Sequence, residues 1–332
     1  MSEKKVFRAG ITAVAHFVPD EVVPNSFFES YLDTTDEWIQ TRAGIKERRI
    51  LRNGATSDLA VPAIKKLLEQ RGIAATDIDM ILVGTVTPDM LFPSTACVIQ
   101  EKIGATNAWG FDLSAACSGF LFTLETGRRF IESGAAKKVL VVGADKMSSI
   151  TNYQDRNTCI LFGDGAGVVL LEPVDEELGI RDSILRIDGT GGEYLYMKGG
   201  GSLNPPSHET IDKQMHYVYQ DGKAVFKRAV IGMAEVSAEI VKRNHLTKDD
   251  IAYLVPHQAN LRIIEAARER VGLTPDQVMI NIDRYGNTTS GTIPICLSEW
   301  STAGKIKKGD YLVLASFGAG FTWGSILLRW AF

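Results

Sequence analysis

Three polar residues carry the chemistry most plainly in this chain: Cys117 in FDLSAACSGF, His257 in LVPHQANLR and Asn287 in RYGNTTSG. Cys117 sits among small residues just after an apolar run, so the backbone can turn sharply there and a ligand can come close. Most cysteines in globular proteins are simply buried hydrophobes, but a thiol at a strand-to-helix turn is also a nucleophile candidate. His257 follows an apolar run and a proline and precedes the helix-like RIIEAARERVG; His16, His208, His216 and His245 lack that placement. Asn287 follows Gly286, a pairing common in turns, yet it lies where the other half of the chain carries the thiol. A thiol with two neutral hydrogen-bonding groups suits acyl transfer through a thioester. The tight SFGAGFTWGS segment offers a backbone N–H of Ala319 or Gly320, which with the Cys117 amide would face an oxyanion.

Composition narrows the setting. The chain has 332 residues, 45% hydrophobic and 23% charged, enough for one large domain or two medium ones. A formal net charge of -4 and a pI of about 5.8 give no global basic field for nucleic acid. The opening MSEKKVFRAG has charge but no long apolar stretch after it, so no secretory leader is expected. The most apolar runs, such as VLVVGA, have strand length and predict no membrane span. Four cysteines without CxxC pairing predict neither a disulfide framework nor a zinc site, and point to a reducing, cytoplasmic compartment.

These residues must be held by elements that the chain states twice. DIDMILVGTV answers to DDIAYLVPHQ, AWGFDLSAACSG to VMINIDRYGNTTSG, KKVLVVGAD to KGDYLVLAS, and GAGVVLLEP to TWGSILLRW. Leu82 falls against Leu254, Phe111 against Ile282 and Val139 against Tyr311, a near-constant separation. On this alignment Cys117 faces Thr288, beside Asn287. Between the strands, SDLAVPAIKKLLEQRG spaces Leu59, Ile64, Leu67 and Leu68 helically, with Ser57 or Asp58 as a cap, and VFKRAVIGMAEVSAEIVKRN repeats the trend. Alternating strands and helices, with near-continuous apolar strands, predict sheets covered on both faces. Two such units about a pseudo-twofold axis give a duplicated α/β/α/β/α layered fold, with halves at 1–175 and 176–332. Ligands in such folds lie beyond the carboxyl ends of the strands, where the three polar residues would converge. FGDGAG lacks the lysine and spacing of a P-loop and reads as a tight turn. The run from Gly189 to Glu209 reads as an irregular connection between the halves rather than a nucleotide site.

DTTDEWIQTRAGIKERR, FPSTA, AACSGF, FGDGAG, VPHQANLRII, YGNTTSGTIP and FGAGFTWGS together resemble the β-ketoacyl-acyl carrier protein synthase III enzymes, thiolase-fold condensing enzymes, over nearly the whole chain. The resemblance implies a decarboxylative condensation of an acyl-CoA starter with malonyl-acyl carrier protein, which initiates type II fatty-acid synthesis. It implies Cys117 as acyl acceptor and His257 with Asn287 as the pair that steadies the enolate. It implies Trp38 and Arg156 around the adenine of coenzyme A, Arg42 near its phosphates, and Phe92 and Phe317 at the acyl pocket, Phe92 reaching into a dimer partner. Gln258, Ala259, Asn260, Leu261 and Arg262, with Lys227, would dock the carrier protein. Neither a metal nor a redox cofactor is implied. The partners implied are acyl carrier protein, acyl-CoA and a second copy of the chain, with no nucleic acid and no membrane.

Two physical expectations accompany it. A thiol at a helix N-terminus gains thiolate character from the dipole. An acidic carrier needs a basic face, which Lys223, Lys227, Arg228, Arg262, Arg268 and Arg270 supply, although Glu265 and Glu269 interrupt it. Ala319 stands where many relatives have glycine, so the second oxyanion donor stays open between Ala319 and Gly320. Alternatives are a paralogous condensing enzyme of specialised metabolism, a Cys-His-Asn hydrolase, and a non-catalytic synthase subunit; the last usually lacks the thiol that is present here.

Overall fold

The computed structural model describes residues 7–332; the opening six residues of MSEKKVFRAG lie outside the described part. One sheet contains β1 (Arg8–Phe17), β2 (Met80–Gly84), β3 (Trp109–Leu113), β4 (Val139–Lys146) and β5 (Asp164–Val174), in the order β1-β5-β4-β2-β3. A second contains β6 (Gly179–Ile187), β7 (Ile251–Pro256), β8 (Tyr311–Gly318) and β9 (Thr322–Arg329), in the order β7-β8-β9-β6. In each, a parallel pair, β2 with β4 or β7 with β8, continues into antiparallel neighbours.

Side-chain alternation explains the layers. Along β4, Val139 and Val141 face one core while Leu140 and Val142 face another. The larger helices are α1 (Asp36–Ala43), α2 (Thr56–Arg71), α3 (Thr95–Ile103), α4 (Gly119–Ser133), α5 (Gly222–Arg243), α6 (Leu261–Val271) and α7 (Thr292–Thr302). Leu59, Ile64 and Leu67 of α2, with Ile99 of α3, cover the outer face of the first sheet. Val236 and Ile240 of α5, with Ile264 of α6, cover the outer face of the second. Phe120 and Leu124 of α4, with Ile293 and Leu297 of α7, fill the space between the sheets. The result is the five-layered α/β/α/β/α fold, with α4 and α7 as its central helix layer.

The duplication holds element by element, with three departures from the sequence reading. The counterpart of β3 is not a strand: Val278 makes a single bridge to Leu254, and a helical turn follows at Ile282–Tyr285. One buried side chain explains it. The Gln258 amide donates to the Pro256 and Met279 carbonyls and accepts from the backbone N–H of Asn281 and Ile282, taking bonds a ladder would have used. The second departure is register. Ala116 and Thr289 both have left-handed φ, 47° and 53°, each opening a one-turn helix that leads into α4 or α7. Ser290 rather than Thr288 therefore stands where Cys117 stands. The third concerns the α2 cap: neither Ser57 nor Asp58 is the N-cap, and Asp58 reaches back from the first turn to the Ala55 N–H at 2.8 Å.

The halves meet through backbone. A Cβ on Gly143 of β4 would lie 2.2 Å from the Ser290 carbonyl oxygen of the other half. Overpacking of this kind costs about 3 kcal/mol where backbone must move. Gly143→Ala is expected to lower the thermal midpoint by several degrees; an unchanged midpoint would show the seam is loose.

Candidate active site

Cys117 sits at the carboxyl end of the first sheet, in the turn Ala116–Ser118 that leads into α4. Its backbone is pinned from the other half: the Ser316 hydroxyl donates to the Cys117 carbonyl at 2.8 Å, and Ser118 donates to the Thr322 carbonyl at 3.0 Å. His257 follows β7, its N–H bonded to the Ala315 carbonyl at 2.8 Å and its Nδ1 lying 2.8 Å from Thr292 Oγ1. Asn287 follows Gly286, whose φ of 61° brings backbone so near Leu161 that a Cβ would clash with its carbonyl. The Asn287 Oδ1 accepts the Thr289 N–H at 2.8 Å, which leaves Nδ2 as the outward donor. All three residues are buried and line one cavity of about 590 Å³.

Burial sets the electrostatics. The His257 imidazole is pushed down to about 3, so it is neutral across ordinary pH. Burial, with the buried Asp145 carboxylate nearby, pushes the Cys117 thiol up to about 12 against the pull of the Asn287 amide. The dipole expectation is therefore outweighed: Cys117 does sit at a helix N-terminus, but in the unliganded site it is a thiol.

The cavity mouth carries Trp38, Arg42, Lys223, Asn260 and Arg262. The Thr35 hydroxyl caps α1 through the Trp38 N–H, and the Asn260 amide donates to the Arg42 carbonyl, tying α1 to the start of α6. The Arg42 and Arg156 guanidiniums lie 4.9 and 5.1 Å from the Trp38 ring centre. Arg156 also donates to the Asp33 carbonyl and pairs with its carboxylate. Arg156 thus rests on Trp38 itself and does not line the cavity.

Family models for 3-oxoacyl-(acyl carrier protein) synthase III match residues 111–189, and for its C-terminal part residues 241–330. A β-ketoacyl-(acyl carrier protein) synthase III of Chlorobaculum tepidum is 60% identical over 97% of this chain and 99% of its own. The chain belongs to the 3-oxoacyl-(acyl carrier protein) synthase III family. Among solved structures, the Thermus thermophilus synthase III is 44% identical with a TM-score of 0.90, covering 97% of this chain and 99% of that one. The priming β-ketosynthase of the R1128 polyketide pathway is 32% identical with a TM-score of 0.91, covering 100% and 98%.

Within this synthase III family member, the residues expected from sequence separate into groups. Cys117, His257, Asn287, Trp38, Arg42, Phe317 and Ala319 share the cavity; Gly320 does not line it. Phe92 is 84% exposed and away from this chain's own cavity. The docking expectation needs one correction. Gln258 is fully buried by the four backbone bonds described above and cannot touch a carrier. Leu261 packs on Gly44, and Arg262 is exposed, stacked 4.6 Å from the Phe226 ring. Lys223 and Lys227 are exposed, whereas Arg268 is engaged by Glu265 and Glu269, and Arg228 by Asp188. Sequence reasoning missed Asp145, Thr292 and a short ribbon of Leu195–Tyr196 paired with Tyr219–Gln220, which supplies cavity wall from the supposed connection. The glycine-rich composition of that stretch hid it; only its tyrosines, Tyr196 and Tyr219 stacked at 4.8 Å, gave a strand signal.

The low His257 value has a pH consequence. Unfolded histidine takes a proton below about 6.5 and the folded site refuses it, so stability falls as pH drops. From pH 7 to 5 this one group removes about 2 kcal/mol. His257→Gln is expected to flatten the pH dependence of urea unfolding by that amount; an identical slope would mean the ring is protonated inside the fold.

Proposed function

We propose that this chain condenses an acyl-CoA starter with malonyl-acyl carrier protein, releasing CO₂ and giving a 3-oxoacyl-acyl carrier protein, the first condensation of type II fatty-acid synthesis. The convergence of Cys117, His257 and Asn287 in one cavity, beneath a cationic, tryptophan-bearing mouth, carries this reading. The Cys117 sulfur attacks the starter carbonyl, the tetrahedral oxyanion meets the Cys117 and Ala319 amides, and coenzyme A departs with the thiol proton. Trp38 and Arg156 take the adenine and Arg42 the phosphates. Malonyl-carrier protein then occupies the same cavity. Loss of CO₂ places negative charge on its thioester oxygen, where the His257 and Asn287 N–H groups donate. The carbanion attacks the acyl-Cys117 carbonyl, the C–S bond breaks, and the thiolate regains a proton from water. Two neutral donors suit this step because neither holds a charge in the resting, dry site.

The chain needs no cofactor in this reading; both acyl carriers are substrates. Exposed Lys223, Lys227 and Arg262 form the docking face for the acidic carrier, with Ala259, Asn260 and Leu261 shaping its edge. Met90, Leu91 and Phe92 form an apolar loop, with Leu91 80% exposed, which supports a homodimer in which Phe92 enters the partner's acyl pocket beside Phe317. The division into halves at 175/176 and a cytoplasmic location complete the reading. Among the described residues no helix is long and apolar enough to cross a membrane. The 60% identity to the Chlorobaculum tepidum synthase III, against 32% to the R1128 enzyme, favours primary metabolism.

Intact-protein mass spectrometry with a panel of acyl-CoA species tests the first half-reaction: one acyl mass is expected on the natural chain and none on Cys117→Ala. Cys117→Ser should lose condensation but keep some malonyl decarboxylation, and His257→Ala should lose that decarboxylation. Full decarboxylation by His257→Ala would sink the enolate assignment. Lys227→Glu is expected to raise KM for malonyl-carrier protein about tenfold, a loss of about 1.4 kcal/mol, with acyl-CoA loading unchanged; an equal KM would remove Lys227 from the docking face.

A further inference from the structure

The proposed reaction needs His257 to offer a proton, and imidazole has two nitrogens that could hold it. Nε2 is buried and finds no hydrogen-bond partner in the protein, while the residue lines the cavity. Nδ1 lies 2.8 Å from the hydroxyl of Thr292, the first residue of α7. That hydroxyl also lies 3.1 Å from the Thr289 carbonyl, which already accepts the Thr292 backbone N–H. The hydroxyl has one proton for two acceptors, and the nearer is Nδ1, at 2.8 against 3.1 Å for the Thr289 carbonyl, which keeps the Thr292 backbone N–H.

We propose that Thr292 is the positioning residue that fixes the tautomer of His257, donating to Nδ1 so that Nε2 holds the proton facing the cavity. The opposite tautomer would point a lone pair at the oxygen where negative charge grows. The same turn does the matching task for Asn287, since the Thr289 N–H occupies Oδ1 and turns Nδ2 outward. Residues 287–292 thus aim both donors from behind, one through a backbone amide and one through a hydroxyl. The turn is itself held by Ser290, whose hydroxyl reaches the Gly84 carbonyl and Asp145 Oδ2 at 2.5 and 2.8 Å.

The inference rests on the condensation reading, and its test separates the two. Protein labelled with ¹⁵N-histidine, with His257→Gln as the assignment control, reports the tautomer directly by imidazole NMR without any substrate. The natural chain is expected to show Nε2–H at His257. Thr292→Val is expected to shift the signal toward mixed tautomers and lower malonyl-carrier decarboxylation about tenfold, the upper range for one hydrogen bond. Its loading of Cys117 from acyl-CoA should stay intact, and Thr292→Ser should restore both signal and rate. A natural ring protonated on Nδ1 overturns the inference. So does Thr292→Val with an unchanged decarboxylation rate, or with loading lost in parallel, which marks a general structural role. A natural chain that shows Nε2–H but never decarboxylates the malonyl thioester overturns the condensation reading instead.

Discussion

The site depends on two backbones touching. A Cβ at Gly318 would come within 2.7 Å of the Cys117 nitrogen and 3.0 Å of its Cβ, so the last residue of β8 lies directly over the Cys117 turn. The same kind of approach recurs at Gly143 against Ser290, and inside the first half at Gly84 against Gly119. Only glycine permits it. Because the two sheets share one helix layer, this seam runs from the core to the strand ends and fixes the separation of residues that are remote in sequence. Packing of α4 and α7 and placement of Cys117, His257 and Asn287 are therefore one problem with one solution.

The seam also buries the reacting groups, and burial decides how they can act. A charged imidazole or a resting thiolate would need solvation that the surrounding Phe317, Met147 and Val218 cannot give. What remains is a thiol, neutral N–H donors and backbone amides, all weak in water and effective where water is excluded. Charge is kept at the rim, on the exposed Arg42, Lys223 and Arg262.

Much of this was legible in the chain. The strand pairs announced themselves because both faces of each sheet are buried, so Val, Ile and Leu run almost unbroken. Cys117 was legible because small residues are obligatory where backbone turns tightly beneath a ligand. Gln258 was misread because the family resemblance places it within the docking segment; nothing local reveals that its amide substitutes for a missing strand. The Ser290 register escaped because the cue is a left-handed φ at a non-glycine, Thr289, which carries no sequence signature. The ribbon at Leu195–Tyr196 escaped because two-residue strands depend on their neighbours rather than on pattern.

Ser290 shows what became of the other copy of the Cys117 turn. It occupies the matching position, but its hydroxyl is bonded inward to Asp145, whose carboxylate also accepts from Thr85, Val86 and Thr87. Asp145 has no exposed surface at all. A molecule built by doubling has two sockets, and here one is wired shut while the other lines the cavity. A thiol engineered at Ser290 would have no corridor for an acyl chain, and the twofold plan of the fold ends in a single working door.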